Sequence, residues 1–238
     1  MSIVGKVDSL WRYPVKSMRG EQLNEAFVGF AGVFGDRQFA IRSAASPKGF
    51  PYLTAREQRA LLQYRPRFRH ADKAARPSNL AEAESLAPGL TPVSADPHDL
   101  MVDVEVPTGE KLSIDDPALL RRLRDTVPGT PDLTLVRSDR SMTDCRPVSL
   151  LSVQTVRQLG EELGAPVDQR RFRANIYLDL QHQVRRVCRY RSQTGRDALR
   201  FGQIGGPRCF VRITEARAVA QQFALLAGGQ VGESLGTR

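Results

Sequence analysis

The stretch Asp168-Gln169-Arg170-Arg171-Phe172-Arg173-Ala174-Asn175-Ile176-Tyr177-Leu178 decides how this chain is read. Charged residues crowd ahead of a run that turns apolar and β-favouring. On an extended backbone Arg171, Arg173 and Asn175 project to one face, and Phe172, Ala174 and Ile176 to the other. The alternation predicts a strand across residues 171–180, with a dry side and a side made of two guanidiniums and an amide. Guanidinium groups present paired donors that match phosphate or carboxylate, so the polar side reads as a grip for an oxyanion. The same residues would equally guard a solvent-facing edge strand against unwanted pairing. This stretch alone leaves both readings open.

Working outward, Val156, Leu159 and Leu163 share one face of a helix that Gly164 closes. A polar loop, Met142 to Pro147, feeds a short buried strand just before it. Further back, Leu133–Val136 reads as a strand, and Asp115-Asp116-Pro117 caps a helix running to about Val127. Leu100, Val102, Val104 and Val106 alternate cleanly, then Thr108-Gly109-Glu110 turns the chain into Leu112 and Ile114, the best hairpin in the sequence. Residues 67–99 read mostly as surface loop, with a helical turn near Asn79–Leu86. Thr54-Ala55-Arg56-Glu57 has capping-box spacing. Strands are expected over residues 3–12 and 23–30, and a third opening at Gly35-Asp36-Arg37. After Leu180 an arginine-rich stretch lacks periodicity, and an amphipathic helix fits Ile213 to Leu226.

Composition narrows the function classes. A length of 238 residues allows one large or two small domains, and 41% hydrophobic with 26% charged residues suits a soluble globular chain. No apolar run approaches the roughly 20 residues of a spanning helix. The N-terminus lacks the basic-then-apolar layout of a secretory signal. Cys145, Cys188 and Cys209 form no pairable framework and no metal spacing, so a reducing cytoplasm is the expected setting. The net charge of +9 raises nucleic acid as a partner, but the arginines are spread along the chain without a recognisable binding module. A buried anionic ligand explains the charge at least as well. His70, His98 and His182 stand in polar loops, and no P-loop or glycine fingerprint appears. Catalysis would have to rest on Cys, Lys, Arg or a cofactor.

Four short motifs then line up in order. Tyr13-Pro14-Val15-Lys16-Ser17, Gly35-Asp36-Arg37 and Thr54-Ala55-Arg56 resemble the N-terminal β-barrel domain of MOSC proteins. Arg171-Phe172-Arg173-Ala174-Asn175-Ile176 resembles the start of the MOSC domain itself, the C-terminal domain of molybdenum cofactor sulfurases, whose family includes the mitochondrial amidoxime-reducing component. The resemblance implies an α+β, β-rich protein. Residues 1–120 would be a β-barrel-like N-terminal domain, packed on a MOSC β-barrel domain over 121–238 that is atypical from about residue 181, an incomplete barrel being one reading of that departure. It also implies a molybdopterin-type molybdenum cofactor, with Lys16, Arg37, Arg173 and Asn175 contacting its anionic portion. Cys209 follows Arg208 and lies 36 residues after Arg173, which makes it the candidate molybdenum ligand and catalytic residue, or a persulfide carrier. The competing reading of Cys209 is a small buried residue.

The implied activity is reduction of N-hydroxylated compounds. No flavin, haem or ferredoxin motif is present, so a separate protein would donate the electrons. The alternative is a sulfur-carrier or cofactor-handling protein, or a degenerate non-catalytic member; pyridoxal phosphate binding is a further family-level association. Relatives continue beyond the central strand with an acidic, aromatic-containing segment, and beyond the cysteine with a Thr-rich strand. Here the segment is rich in arginine instead, and out-of-frame reading, divergence and truncation all remain open as explanations.

Overall fold

The structure is a computed structural model that describes residues 5–29, 31–87, 92–144 and 147–180, together with the backbone of 209–212. The strands are β1 (Gly5–Arg12), β2 (Glu21–Leu23), β3 (Glu25–Gly29), β4 (Gly32–Val33), β5 (Phe39–Ser43) and β6 (Arg65–Phe68). After helix α1 (Leu80–Leu86) come β7 (Val102–Glu105) and β8 (Lys111–Ser113). Helix α2 (Pro117–Thr126) precedes β9 (Leu133–Arg137) and β10 (Leu150–Ser152). Helix α3 (Val153–Leu163) leads to β11 (Ile176–Leu180), and β12 is Cys209–Arg212. The fold is strand-rich and mixed, as expected, and its described strands form open sheets ordered β10-β11-β1-β2, β12-β3-β4, β5-β9 and β6-β7-β8.

Local sequence accounts for much of this. In the β7–β8 hairpin Val102 and Val104 point into the core, and the turn is tied by Gly109 N–H donating to the Val106 carbonyl at 2.8 Å. Asp116 caps α2 by accepting from Ala118 N–H, Pro117 takes the tolerated first position, and Leu119 and Leu123 bury one face. Ser152 caps α3 in the same way, and Gly164 ends it in the left-handed conformation. Beyond Gly164 the chain folds back so that Ala165 N–H donates to the Gly160 carbonyl. The returning segment covers Gly160 and leaves Leu163 outside the core, 65% exposed.

Two clusters make most of the core. One gathers residues between Val15 and Val127, including Phe39, Ile41, Leu61, Val104, Leu119 and Leu123. The other joins Val7, Leu10, Ala26, Val28 and Val33 to Val148, Leu150 and Ile176. The second cluster follows from the pairing of β1 with β11, antiparallel from Gly5 opposite Leu180 to Leu10 opposite Ile176. β10 adds to β11 in parallel, with α3 as the crossover. One sheet therefore joins β1 and β2, from residues 5–23, to β10 and β11, from residues 150–180. That arrangement brings residues 11–18 against residues 173–177.

The central stretch departs from the expected strand. Gln169–Phe172 is a short 3₁₀ turn, Arg173 has φ 54°, and extended pairing begins only at Ile176. Phe172, expected in the core, is 44% exposed, and Arg171 is exposed as well. Two local anchors outcompete the alternation. The Asp168 carboxylate accepts from Arg170 N–H at 2.9 Å, and the Tyr177 hydroxyl both donates to Gln169 O and accepts from Ala174 N–H. Arg37 differs similarly: it stands at φ 46°, and its strand starts two residues later at Phe39. Among the described residues no helix is long and apolar enough to cross a membrane.

Candidate anion-binding site

The segment after β1 and the segment before β5 are laced together by backbone bonds. Arg37 N–H donates to Tyr13 O at 2.6 Å, Lys16 N–H to Phe39 O at 2.7 Å, and Phe39 N–H to Pro14 O at 3.1 Å. The Asp36 carboxylate accepts from Tyr13 N–H at 2.8 Å, which fixes the crossing point. From the other end of the chain, Tyr13 Oη donates to Ala174 O at 3.2 Å, and Trp11 N–H to Asn175 O at 2.7 Å. These ties deliver Lys16, Arg37 and Arg173 to one place.

Each of the three cations is held differently. Lys16 is buried; its Nζ donates to Met142 O at 2.9 Å and to Asp144 at 2.5 Å, and it lies 5.0 Å and 5.4 Å from the ring centres of Phe50 and Tyr52. Arg37 pairs with the buried Asp36 carboxylate at 2.5 Å and donates to Arg173 O at 2.9 Å. Ser141 Oγ donates to the same Asp36 carboxylate at 3.0 Å. Arg173 donates one nitrogen, Nη1, to Met18 O at 2.6 Å. Its Nη2 is sealed from solvent and has no hydrogen-bond partner among the described residues. Both guanidiniums lie over the Tyr13 ring, Arg37 at 4.7 Å and Arg173 at 4.3 Å from its centre.

Charge does not balance here. Three cations face two carboxylates, and one of these, Asp144, is 62% exposed and so partly screened by water. Burial, reinforced by the like charge of Arg37, pulls the Arg173 guanidinium down to about 10. Burial also lowers the Lys16 amine; Asp144 opposes that shift, while Arg37 and Arg173 add to it. Burial raises the Tyr13 hydroxyl, so that side chain stays neutral. A buried donor without an acceptor is unfavourable, and an anion meeting Nη2 would relieve it. The backbone is strained at the same spot. Ser17, Arg37 and Arg173 all have positive φ, a conformation that costs on the order of 1–3 kcal/mol per non-glycine residue and clusters at functional sites.

Of the residues singled out from sequence, Lys16, Arg37 and Arg173 converge. Asn175 sits behind them, 1% exposed. Its Oδ1 accepts from Ser149 N–H at 3.1 Å and Ser149 Oγ at 3.0 Å, and its Nδ2 donates to Trp11 O at 3.3 Å. It braces the turn that carries Arg173. The Cys209 backbone pairs opposite Val28, but its side chain lies outside the described residues, as do Cys145 and Cys188. Among the described residues no group of three His, Cys, Asp or Glu side chains could hold a metal ion. A pocket lined by Phe27, Phe34, Asp36, Gln38, Ser138 and Ser141 adjoins the site, shares Asp36 with it and includes none of the three cations.

Sequence reading missed Tyr13, Asp36 and Asp144 as parts of the site. The available signal was an aromatic residue beside Pro14, three positions before Lys16, in a chain rich in arginines that need a partner surface.

The chain is a strand-rich α+β protein with a buried, under-neutralised cation cluster built where residues 11–18 meet residues 173–177. Residues 4–126 match the model of the MOSC N-terminal beta barrel domain, and the chain belongs to that family. The match includes Lys16 and Arg37 and ends before Arg173. No curated protein matches the chain.

Proposed function

We propose that the cluster of Lys16, Arg37 and Arg173 holds the phosphate-bearing end of a molybdopterin-type molybdenum cofactor, and that the protein is a molybdenum-cofactor-dependent oxidoreductase. The observation that carries the anion half is Arg173 Nη2, a buried guanidinium nitrogen with no partner among the described residues beside two further cations. The residues fit such a group: Arg173 carries a donor with no partner among the described residues, Arg37 is steadied by Asp36, and Lys16 adds a point charge. Asn175 supports the turn from behind instead of reaching outward. The division into residues 1–120 and 121–238 belongs to this reading, with Lys16 and Arg37 supplied by the first part and Arg173 by the second.

When bound, the cofactor supplies the molybdenum centre at which N-hydroxylated compounds lose oxygen as water, with electrons from a separate protein. Cys209 is proposed as the thiolate ligand on the strength of its sequence position after Arg208. The chain's own part is to neutralise the anionic end and hold it in one orientation, which the laced 13–17 and 36–39 segments support by leaving the cations little freedom.

Elemental analysis and pterin fluorescence of protein purified from a cofactor-producing host test this. Stoichiometric molybdenum and pterin are expected in the wild type, with loss of both in Arg173→Met. Protein free of both would overturn the proposal. Molybdenum and pterin without reduction of N-hydroxylated substrates by any supplied electron donor would move the assignment to cofactor handling.

A further inference from the structure

We infer that Tyr13 is the positioning residue of the site: its ring is the shared platform that holds both the Arg37 and the Arg173 guanidinium before any ligand arrives. The inference rests on the anion-site reading and adds how that site is kept assembled. Two like charges brought together in a poorly solvated place repel each other, and side-chain freedom would let them separate. An aromatic ring within about 6 Å attracts each cation through its π electrons, so one ring can offset that repulsion for both. The Tyr13 ring meets this condition twice, at 4.7 Å and 4.3 Å.

The ring is itself immobilised. Tyr13 is 2% exposed, its N–H is bound by Asp36, its carbonyl accepts from Arg37 N–H, and its hydroxyl donates to Ala174 O next to Arg173. Thus the residue touches both arginines by ring and both of their backbone segments by hydrogen bonds. Gly20 makes the space: a Cβ there would collide with Cε1 and Cδ1 of the Tyr13 ring. Dependence on the ring is unequal. Arg37 also has Asp36 and the Arg173 carbonyl, whereas the Arg173 guanidinium has only Met18 O besides the ring among the described residues. Removing the platform should therefore release Arg173 first.

The test combines inorganic phosphate titration by calorimetry at fixed ionic strength with NMR of the arginine side chains. In the wild type, Arg37 and Arg173 side-chain protons should be shifted upfield by the ring current. Tyr13→Phe keeps the ring and loses the bond to Ala174, so it should bind phosphate about two- to threefold more weakly and keep the shifts, whereas Tyr13→Leu should bind at least about tenfold more weakly and lose them. Gly20→Ala, which pushes on the ring from outside the site, should weaken binding as well. Equal phosphate affinity in wild type and Tyr13→Leu, or no ring-current shift in the wild type, overturns the inference. Should Tyr13→Leu fail to fold, the wild-type shifts and the Gly20→Ala affinity decide. A wild type that ignores phosphate but shows both shifted arginines refutes the anion reading and leaves the platform standing.

Discussion

Arg12 and Arg173 are both arginines in poorly solvated places, yet their surroundings are opposites. Arg12, at the end of β1, is 5% exposed; its Nε and Nη2 reach Glu21 at 2.8 Å and 2.7 Å, and its Nη1 donates to Ala74 O at 2.5 Å. Its guanidinium also covers the Phe68 ring at 4.5 Å. Arg173 has a carbonyl and a ring, no ion pair among the described residues, and one nitrogen without a partner. Burial lowers both guanidiniums from their ordinary value; Glu21 opposes the shift at Arg12 by charge and hydrogen bond, whereas Asp36 opposes it at Arg173 by charge alone. A buried charge that is fully paired holds a fold together, whereas one left unpaired in a strained turn is a candidate to meet a ligand.

The contrast predicts a hierarchy of effects. Arg12→Met leaves Glu21 buried beside only Arg67 and should cost about 3–5 kcal/mol of stability in denaturant unfolding, with phosphate affinity unaltered. A loss below about 1 kcal/mol would erase the distinction. Arg173→Met should do the reverse, weakening phosphate by about 10- to 100-fold, as expected for a charged hydrogen bond worth about 1.5–3 kcal/mol. Its unfolding midpoint should hold or rise, because an uncompensated charge has gone; a clear fall would mark Arg173 as structural.

Much of the architecture around this contrast was legible in the sequence. The Val102–Val106 alternation with Gly109, the Asp116-Pro117 cap and the Gly164 stop all depend on residues within a few positions of each other, and the structure has them as read. The Arg171–Asn175 turn was not legible as a turn. Its alternation imitated a strand, and what overrides it comes from Asp168 capping and from Tyr177 folding back on Gln169 and Ala174. Lys16 and Arg37 were named as site residues through resemblance, and Arg173 also from its own stretch; the ring that Arg37 and Arg173 share, Tyr13, meets them through contacts spanning most of the described chain.

pH sharpens the comparison further. Lys16 and Arg173 are cations with lowered folded-state values, so their charge disfavours folding below those values, and the cost is relieved as pH rises through them toward the unfolded values. Phosphate binding runs the other way, because it needs the protons. Affinity should fall on the alkaline side, as Lys16 and Arg173, both lowered by burial, give up their protons. Flat affinity across that range would show that Arg173 is not a ligand to the anion. The smallest effect expected is at Asp144, the internal carboxylate on Lys16. Asp144→Asn removes a competitor that is mostly in water, and should tighten phosphate by a few-fold, equivalent to about 0.5–1 kcal/mol. Weaker binding would mean that Asp144 positions Lys16 instead of competing for it.

The central claim is that Arg173 waits for an anion, and the unfolding midpoint in phosphate against chloride at matched ionic strength tests it most directly. A ligand that binds only the folded state adds about 2.7 kcal/mol of stability at a hundred times its dissociation constant. The account predicts that saturating phosphate raises the wild-type midpoint above the chloride value and that Arg173→Met abolishes the difference. Identical midpoints in the two salts for the wild type, or an equal phosphate gain in Arg173→Met, would contradict it.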